Sequence, residues 1–201
     1  MNDLEFLGFA EATSSLDPIM YQYFKNLLHN RTIILNSEID ENILENVVLP
    51  LKDFENDNSN DKITLILNTP GGSVVDGLML CNIIDNYKKP LEIIVPSYSF
   101  SMGTIILCSG NKNPNVTKKC YPFSFGLFHS GQTFVGGEST SVKDTVDFNE
   151  NVDNRIREYI VANTNISDEL YEKHHRKQWY ITADEMLAYG LVDEIIGKES
   201  D

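Results

Sequence analysis

The sequence predicts an α/β domain with largely parallel strands, because short apolar runs of strand length alternate with longer segments of helical period. Thr32–Leu35, Ile63–Leu67 and Leu91–Val95 are runs of four or five residues, β-branched or aliphatic except for Glu92. Between them, residues 38–54 set Ile43, Val47, Val48 and Leu51 at helical spacing, and residues 73–88 do the same with Val75, Leu78, Met79 and Ile83. A chain of 201 residues with 41% hydrophobic content suits one domain with a real core.

Taken in order, residues 1–25 mix Gly, Ser, Asp and Pro with isolated aromatics and keep no sustained period. They are expected to form an N-terminal arm, ahead of a domain spanning 26–197 and a tail at 198–201. The strand Thr32–Leu35 leads to the helix at 38–54, which ends in the turn-forming run Asn56-Asp57-Asn58-Ser59-Asn60-Asp61. Ile63–Leu67 runs directly into Asn68-Thr69-Pro70-Gly71-Gly72-Ser73 and the helix at 73–88. After Leu91–Val95, residues 102–109 read as a mostly buried helix. Residues 111–119, polar and turn-rich, read as a surface loop. Leu127-Phe128 ends a further strand. Residues 139–162 form a long polar helix whose apolar stripe is Val142, Val146, Val152, Ile156 and Ile160. A last helix at 182–189 precedes the apolar run at 191–196. No internal repeat is present.

Composition narrows the function. A net charge of −14 argues against a nucleic-acid partner, since phosphates require a basic surface. No apolar run reaches bilayer-spanning length, and no basic segment precedes an apolar one at the start, so the expected location is the cytoplasm. Cys81, Cys108 and Cys120 lack metal-ligand spacing and are expected to be reduced thiols. No metal or other cofactor is implied.

Three short segments carry chemistry. Ser101 opens the helix at 102–109, where first-turn N–H groups lack intrahelical partners and can hold negative charge. Gly71-Gly72 can turn backbone N–H groups toward an oxyanion, and His129 can accept a serine proton. Singly, each has a plainer reading: an N-cap serine, a tight turn, a satisfied interior histidine. Together they are the parts of a nucleophilic hydrolase.

In order and spacing these segments resemble the ClpP family, the proteolytic subunit of the Clp protease. The resemblance covers about residues 27–196. It rests on the turn at 68–73, Ser101-Met102-Gly103, Phe128-His129, and Thr182-Ala183-Asp184-Glu185 leading to Tyr189-Gly190-Leu191-Val192-Asp193. It implies a crotonase-like spiral of ββα units with a protruding handle helix, and processive cleavage of unfolded polypeptide. It matches Ser101 to the nucleophile, His129 to the general base, and the N–H groups of Gly72 and Met102 to the oxyanion hole. Gly136 and Gly137 match the glycine-containing strand that holds substrate extended. It further implies heptameric rings, able to stack, that work with an ATP-driven unfoldase of the Clp type.

Two positions depart from the family. Gln178 stands where the family has the aspartate that orients the histidine. A glutamine carbonyl can fix the tautomer but brings no charge to the imidazolium; Asp184 is an alternative orienter. Arg176 and Lys177 replace an acidic–basic pair that reaches across rings, with Glu138 as another source of such contacts. Three readings therefore compete: an active ClpP-type peptidase, a weakly active scaffold subunit of a mixed particle, and an acyl-CoA enzyme of the same spiral. The last has no need of a serine–histidine pair.

Overall fold

Every strand of the larger sheet runs in the same direction. The computed structural model describes residues 18–130, 139–174 and 177–198. In it, β1 (Thr32–Leu35), β2 (Ile63–Leu67), β3 (Leu91–Val95), β5 (Val116–Cys120) and β8 (Glu194–Ile195) lie in the order β1-β2-β3-β5-β8, all parallel. A smaller sheet orders β4 (Tyr98–Phe100), β6 (Phe125–Phe128) and β7 (Trp179–Thr182), with β4 parallel and β7 antiparallel to β6. The apolar residues expected to be inside are inside: Ile33, Leu35, Ile63, Leu65, Leu67 and Ile93 are each at most 3% exposed. They share one face of the sheet, while Ile34, Thr64, Ile66 and Ile94 on the other face are only partly covered.

The helices are α1 (Pro18–His29), α2 (Leu49–Asn56), α3 (Val74–Asp85), α4 (Met102–Leu107), α5 (Ser139–Asn163), α6 (Asp168–His174) and α7 (Ala183–Ala188). The repeating unit is a strand in the large sheet, a short strand in the small one, then a helix. Thus β3 leads to β4 and α4, and β5 leads to β6 and, further along, α5. After β2, Thr69 makes a single parallel bridge to Ser99 of β4 before α3 begins. This is the expected spiral of ββα units. Helix α5 has 25 residues, about 37 Å of length. Its C-terminal half buries Ile156 and Ile160, while Val146 and Phe148 earlier in it are exposed, so its N-terminal half protrudes as a handle.

Residues 18–29 form α1, an element the sequence reading did not assign. Two expectations change. The helix expected from residue 38 begins only near Ile43, as a π-helical turn (Leu44–Val48) that continues into α2. Two bonds, one local and one to a turn distant in sequence, hold off the earlier start. Asp40 Oδ1 accepts from the Asn42 N–H at 2.9 Å, and the Ile39 N–H donates to Gly71 O at 2.8 Å. Residues 111–119 are not wholly a surface loop, because 116–119 belong to β5. There Val116, Lys118 and Cys120 face inward, and Lys118 is 1% exposed. Its ammonium donates to the carbonyls of Leu107 and Ser109 at the C-terminal end of α4 and to Asn111 Oδ1, a placement that the helix dipole favours. Burial nonetheless pushes its pKa down to about 8. Finally, α6 and β7 lay unassigned in the sequence.

Cys81, Cys108 and Cys120 are all buried and free, and burial holds each thiol well above its usual pKa, Cys108 at about 12. They are core residues rather than reactive ones. Among the described residues no helix is long and apolar enough to cross a membrane, and no cluster of three or more His, Cys, Asp or Glu side chains could hold a metal ion. The glycines at 136 and 137, Glu138, Arg176 and residues 1–17 lie outside the described residues.

Candidate active site

Ser101 links β4 to α4 in a backbone conformation that L-residues rarely adopt, φ +54° and ψ −121°. Such strain costs on the order of 1–3 kcal/mol and persists only where the surroundings impose it. They do so here from both sides. The Ser101 N–H donates to Leu127 O at 2.8 Å, and the preceding Phe100 N–H donates to Thr69 O at 2.9 Å. Thr104, fully buried one turn into α4, has Oγ1 within 2.5 Å of Ser99 O and 2.9 Å of Leu127 O. The same oxygen accepts from the Leu127 N–H at 3.0 Å. One hydroxyl thus ties α4 to β4 and β6.

Although Ser101 occupies the N-cap position, its side chain makes no capping bond. That removes the plainest reading of this serine. Where Ser73 caps α3 by accepting from the Asp76 N–H, and Thr182 caps α7 in a reciprocal box with Glu185, Ser101 leaves its hydroxyl free of such a role.

The glycine turn is pressed against the serine. A Cβ on Gly71 (φ +97°) would lie 2.6 Å from Ser101 Cβ and 2.7 Å from Phe100 O. Gly72 (φ +144°) abuts another strip of chain: a Cβ there would lie 2.2 Å from Ile39 O. Ile39 grips the turn by donating to Gly71 O and accepting from the Ser73 N–H at 2.7 Å. The Gly71 N–H is used internally, donating to Thr69 Oγ1 at 3.1 Å. Among the described residues, no hydrogen-bond acceptor faces the N–H of Gly72 or of Met102. These are the two donors that the sequence pairs as an oxyanion hole.

His129 directly follows β6 and lines one cavity with Ser101, a space of about 120 Å³. Its walls are largely apolar, built by Val74, Met102, Ile105, Ile156 and Ile160, with Asp153 and Tyr171 among the polar side chains. Phe128, just before the histidine, packs on its cross-strand partner Trp179 with ring centroids 5.6 Å apart. His174 stacks on the same indole at 4.6 Å, so it is an aromatic partner.

Strand direction sorts the two candidate orienters. Because β7 is antiparallel to β6 and Phe128 pairs with Trp179, His129 and Gln178 both lie one residue beyond the same end of the paired strands. Gln178 is exposed, and no hydrogen bond joins it to the histidine in this structure. Asp184 follows Thr182, which pairs with Phe125, about 13 Å along the strand from His129. Its carboxylate instead binds Lys198. The structure does not bring Asp184 to the site.

A family model described as Clp protease matches residues 15–199. The chain belongs to the Clp protease family. The spiral of ββα units and the handle helix agree with that membership, and Clp proteases are serine peptidases. Against this family background, several supports of the site went unread in the sequence. Thr69, Thr104 and Ile39 are ordinary core types, and no local pattern marks them as the clamp on the Ser101 turn. Asp153 and Tyr171 come from α5 and α6, remote in the chain, and only the packing of those two helices brings them to this cavity.

Proposed function

We propose that this chain is a ClpP-type serine endopeptidase that cleaves unfolded polypeptide inside a ring-shaped compartment. Ser101 is the nucleophile, His129 the general base, and the N–H groups of Gly72 and Met102 the oxyanion hole. The observation that carries the reading is Ser101 itself: a strained, uncapped serine at a helix start, sharing a cavity with His129. His129 takes the proton as Ser101 Oγ attacks the scissile carbonyl. The resulting oxyanion falls to donors already fixed in place, which need no reorganisation at the moment of reaction. His129 then passes the proton to the leaving amine, and water hydrolyses the acyl-enzyme by the reverse sequence.

Gln178 orients His129 without charge, which lowers turnover relative to an aspartate. Gly136 and Gly137 hold the substrate strand extended. The particle is a heptameric ring, supplied by an ATP-driven unfoldase of the Clp type, in the cytoplasm. Gln178 is also the observation that favours a second reading, a weakly active scaffold subunit within a mixed particle.

Labelling with a fluorophosphonate probe and cleavage of fluorogenic peptides test both. The first reading expects acylation at Ser101, loss of cleavage in Ser101→Ala, and a seven-subunit mass by native mass spectrometry. Peptide cleavage by purified Ser101→Ala at the wild-type rate would sink the assignment. Rings that bind the probe only when mixed with a second subunit support the scaffold reading.

A further inference from the structure

The cavity beside Ser101 and His129 is apolar in its walls but has a carboxylate among them. Asp153 stands on α5 at i−3 and i−7 from Ile156 and Ile160, so all three share one helix face, and all three line the cavity. Tyr171, from α6, lines it as well. The nearest obvious cation does not neutralise Asp153. Arg157, one turn further along α5, binds Asp168 through two hydrogen bonds of 2.8 and 2.7 Å and Glu172 at 2.9 Å. Among the described residues Asp153 has no ion-pair partner.

A carbonyl held at Ser101 carries its own side chain into this cavity, because the nucleophile lines it. Apolar walls with one unpaired carboxylate suit a long aliphatic stem that ends in a positive charge. Lysine and arginine bury their methylenes along apolar surface and keep the charged head on a polar partner. A purely aliphatic side chain fills the same walls but leaves the carboxylate without a counter-charge.

We infer that Asp153 is a specificity-determining residue that selects lysine or arginine on the acyl side of the scissile bond. The inference rests on the peptidase reading above and names the substrate class of that site. It concerns the side chain adjacent to the attacked carbonyl, and Asp153 plays no part in proton transfer.

The test compares blocked peptidyl-aminocoumarins that differ only in the acyl-side residue, lysine against norleucine, on the assembled full-length protein. Norleucine keeps the stem and removes the charge. Asp153 is exposed, so wild type is expected to show the higher kcat/KM with lysine, and Asp153→Asn to lower the lysine-to-norleucine ratio roughly two- to fivefold, the range for an exposed ion pair. Asp153→Lys should invert the preference and favour glutamate. The wild-type ratio should fall as salt is raised from 0.05 to 0.5 M, and that of Asp153→Asn should not.

A ratio that is unchanged in Asp153→Asn overturns the inference, whether the absolute rates hold or fall together. A joint fall would assign the carboxylate to His129 rather than to the substrate. The failure of the peptidase reading looks different: neither substrate is cleaved and no fluorophosphonate reaches Ser101, and the specificity inference then falls with it.

Discussion

Replacing Gly71 by alanine should damage stability and nucleophile together, and the structure gives both magnitudes. The new Cβ would sit 2.6 Å from Ser101 Cβ, 2.7 Å from Phe100 O and 3.0 Å from the Met102 nitrogen. Two of these neighbours are backbone atoms, and the third is one bond from backbone, so no side-chain rotation relieves the overlap. Overpacking of this kind costs about 1–3 kcal/mol. Holding alanine at φ +97° adds about 1–2 kcal/mol. Against a total stability of roughly 5–15 kcal/mol the sum is large. Restoring ordinary contact at 3.4 Å requires Ser101 to move by about 0.8 Å. A displacement near 1 Å costs roughly 100-fold in rate when the reacting atoms were well aligned.

Urea denaturation and the second-order rate of fluorophosphonate labelling separate the two effects. Gly197→Ala is the control, since φ there is +82° and nothing stands within 4 Å of the new Cβ. It should lose only the conformational cost, about 1 kcal/mol, and label at the wild-type rate. Gly71→Ala should lose more stability than the control and label on the order of 100-fold more slowly. If Gly71→Ala labels within twofold of wild type and unfolds at the same urea concentration as Gly197→Ala, the turn does not press on the serine as described.

Further outcomes follow from the same structure. Gln178→Asp should raise peptide turnover about tenfold or more by placing a charge at the strand end that carries His129, and an unchanged rate at matched oligomeric state would refute the register argument. Thr104→Val should cost about 1–3 kcal/mol in denaturation and slow labelling, because the buried Leu127 N–H loses its acceptor. A Thr104→Ser variant should recover most of both. Asp57 is held down to about 2 by hydrogen bonds from Arg31 and then Lys89. Its folded pKa is depressed, so the stability it adds is present above about pH 4 and is lost as pH falls toward 2. Asp57→Asn should flatten that decline, with a difference below about 1 kcal/mol at neutral pH because the side chain is a third exposed. Equal acid sensitivity of the two proteins between pH 5 and 2 would remove Asp57 from the account.

Legibility in the sequence followed burial. The strands β1, β2 and β3 were readable to the residue because each is a short run of mainly β-branched and aliphatic residues whose alternate positions are buried. The strand β5 was missed because its inward positions include Lys118, whose charge is answered by the C-terminal carbonyls of α4, a partner that no local window contains. The late start of α2 was missed for a similar reason: Ile39 is committed to the Gly71-Gly72 turn, distant in sequence. Ser101 and the glycine turn were visible because their chemistry is local, while Thr69 and Thr104, which hold them, look like any core threonine.

The choice between Gln178 and Asp184 shows what a sequence lacks even when the family is recognised. Both flank β7, and along the chain they are nearly equivalent. The direction of one strand puts them at opposite ends of it. The candidate groups of the site all sit at one edge of the small sheet: Gly72 follows the Thr69 bridge, Ser101 follows β4, and His129 follows β6. Strands β4 and β6 are parallel, so their C-terminal ends share that edge. Since β7 is antiparallel, its N-terminal end comes to the same edge and its C-terminal end leaves for the other. A group that acts on His129 from this strand must therefore precede it, and Asp184, which follows it, is spent on Lys198. Any carboxylate engineered to complete the site through β7 belongs at 178, before the strand begins.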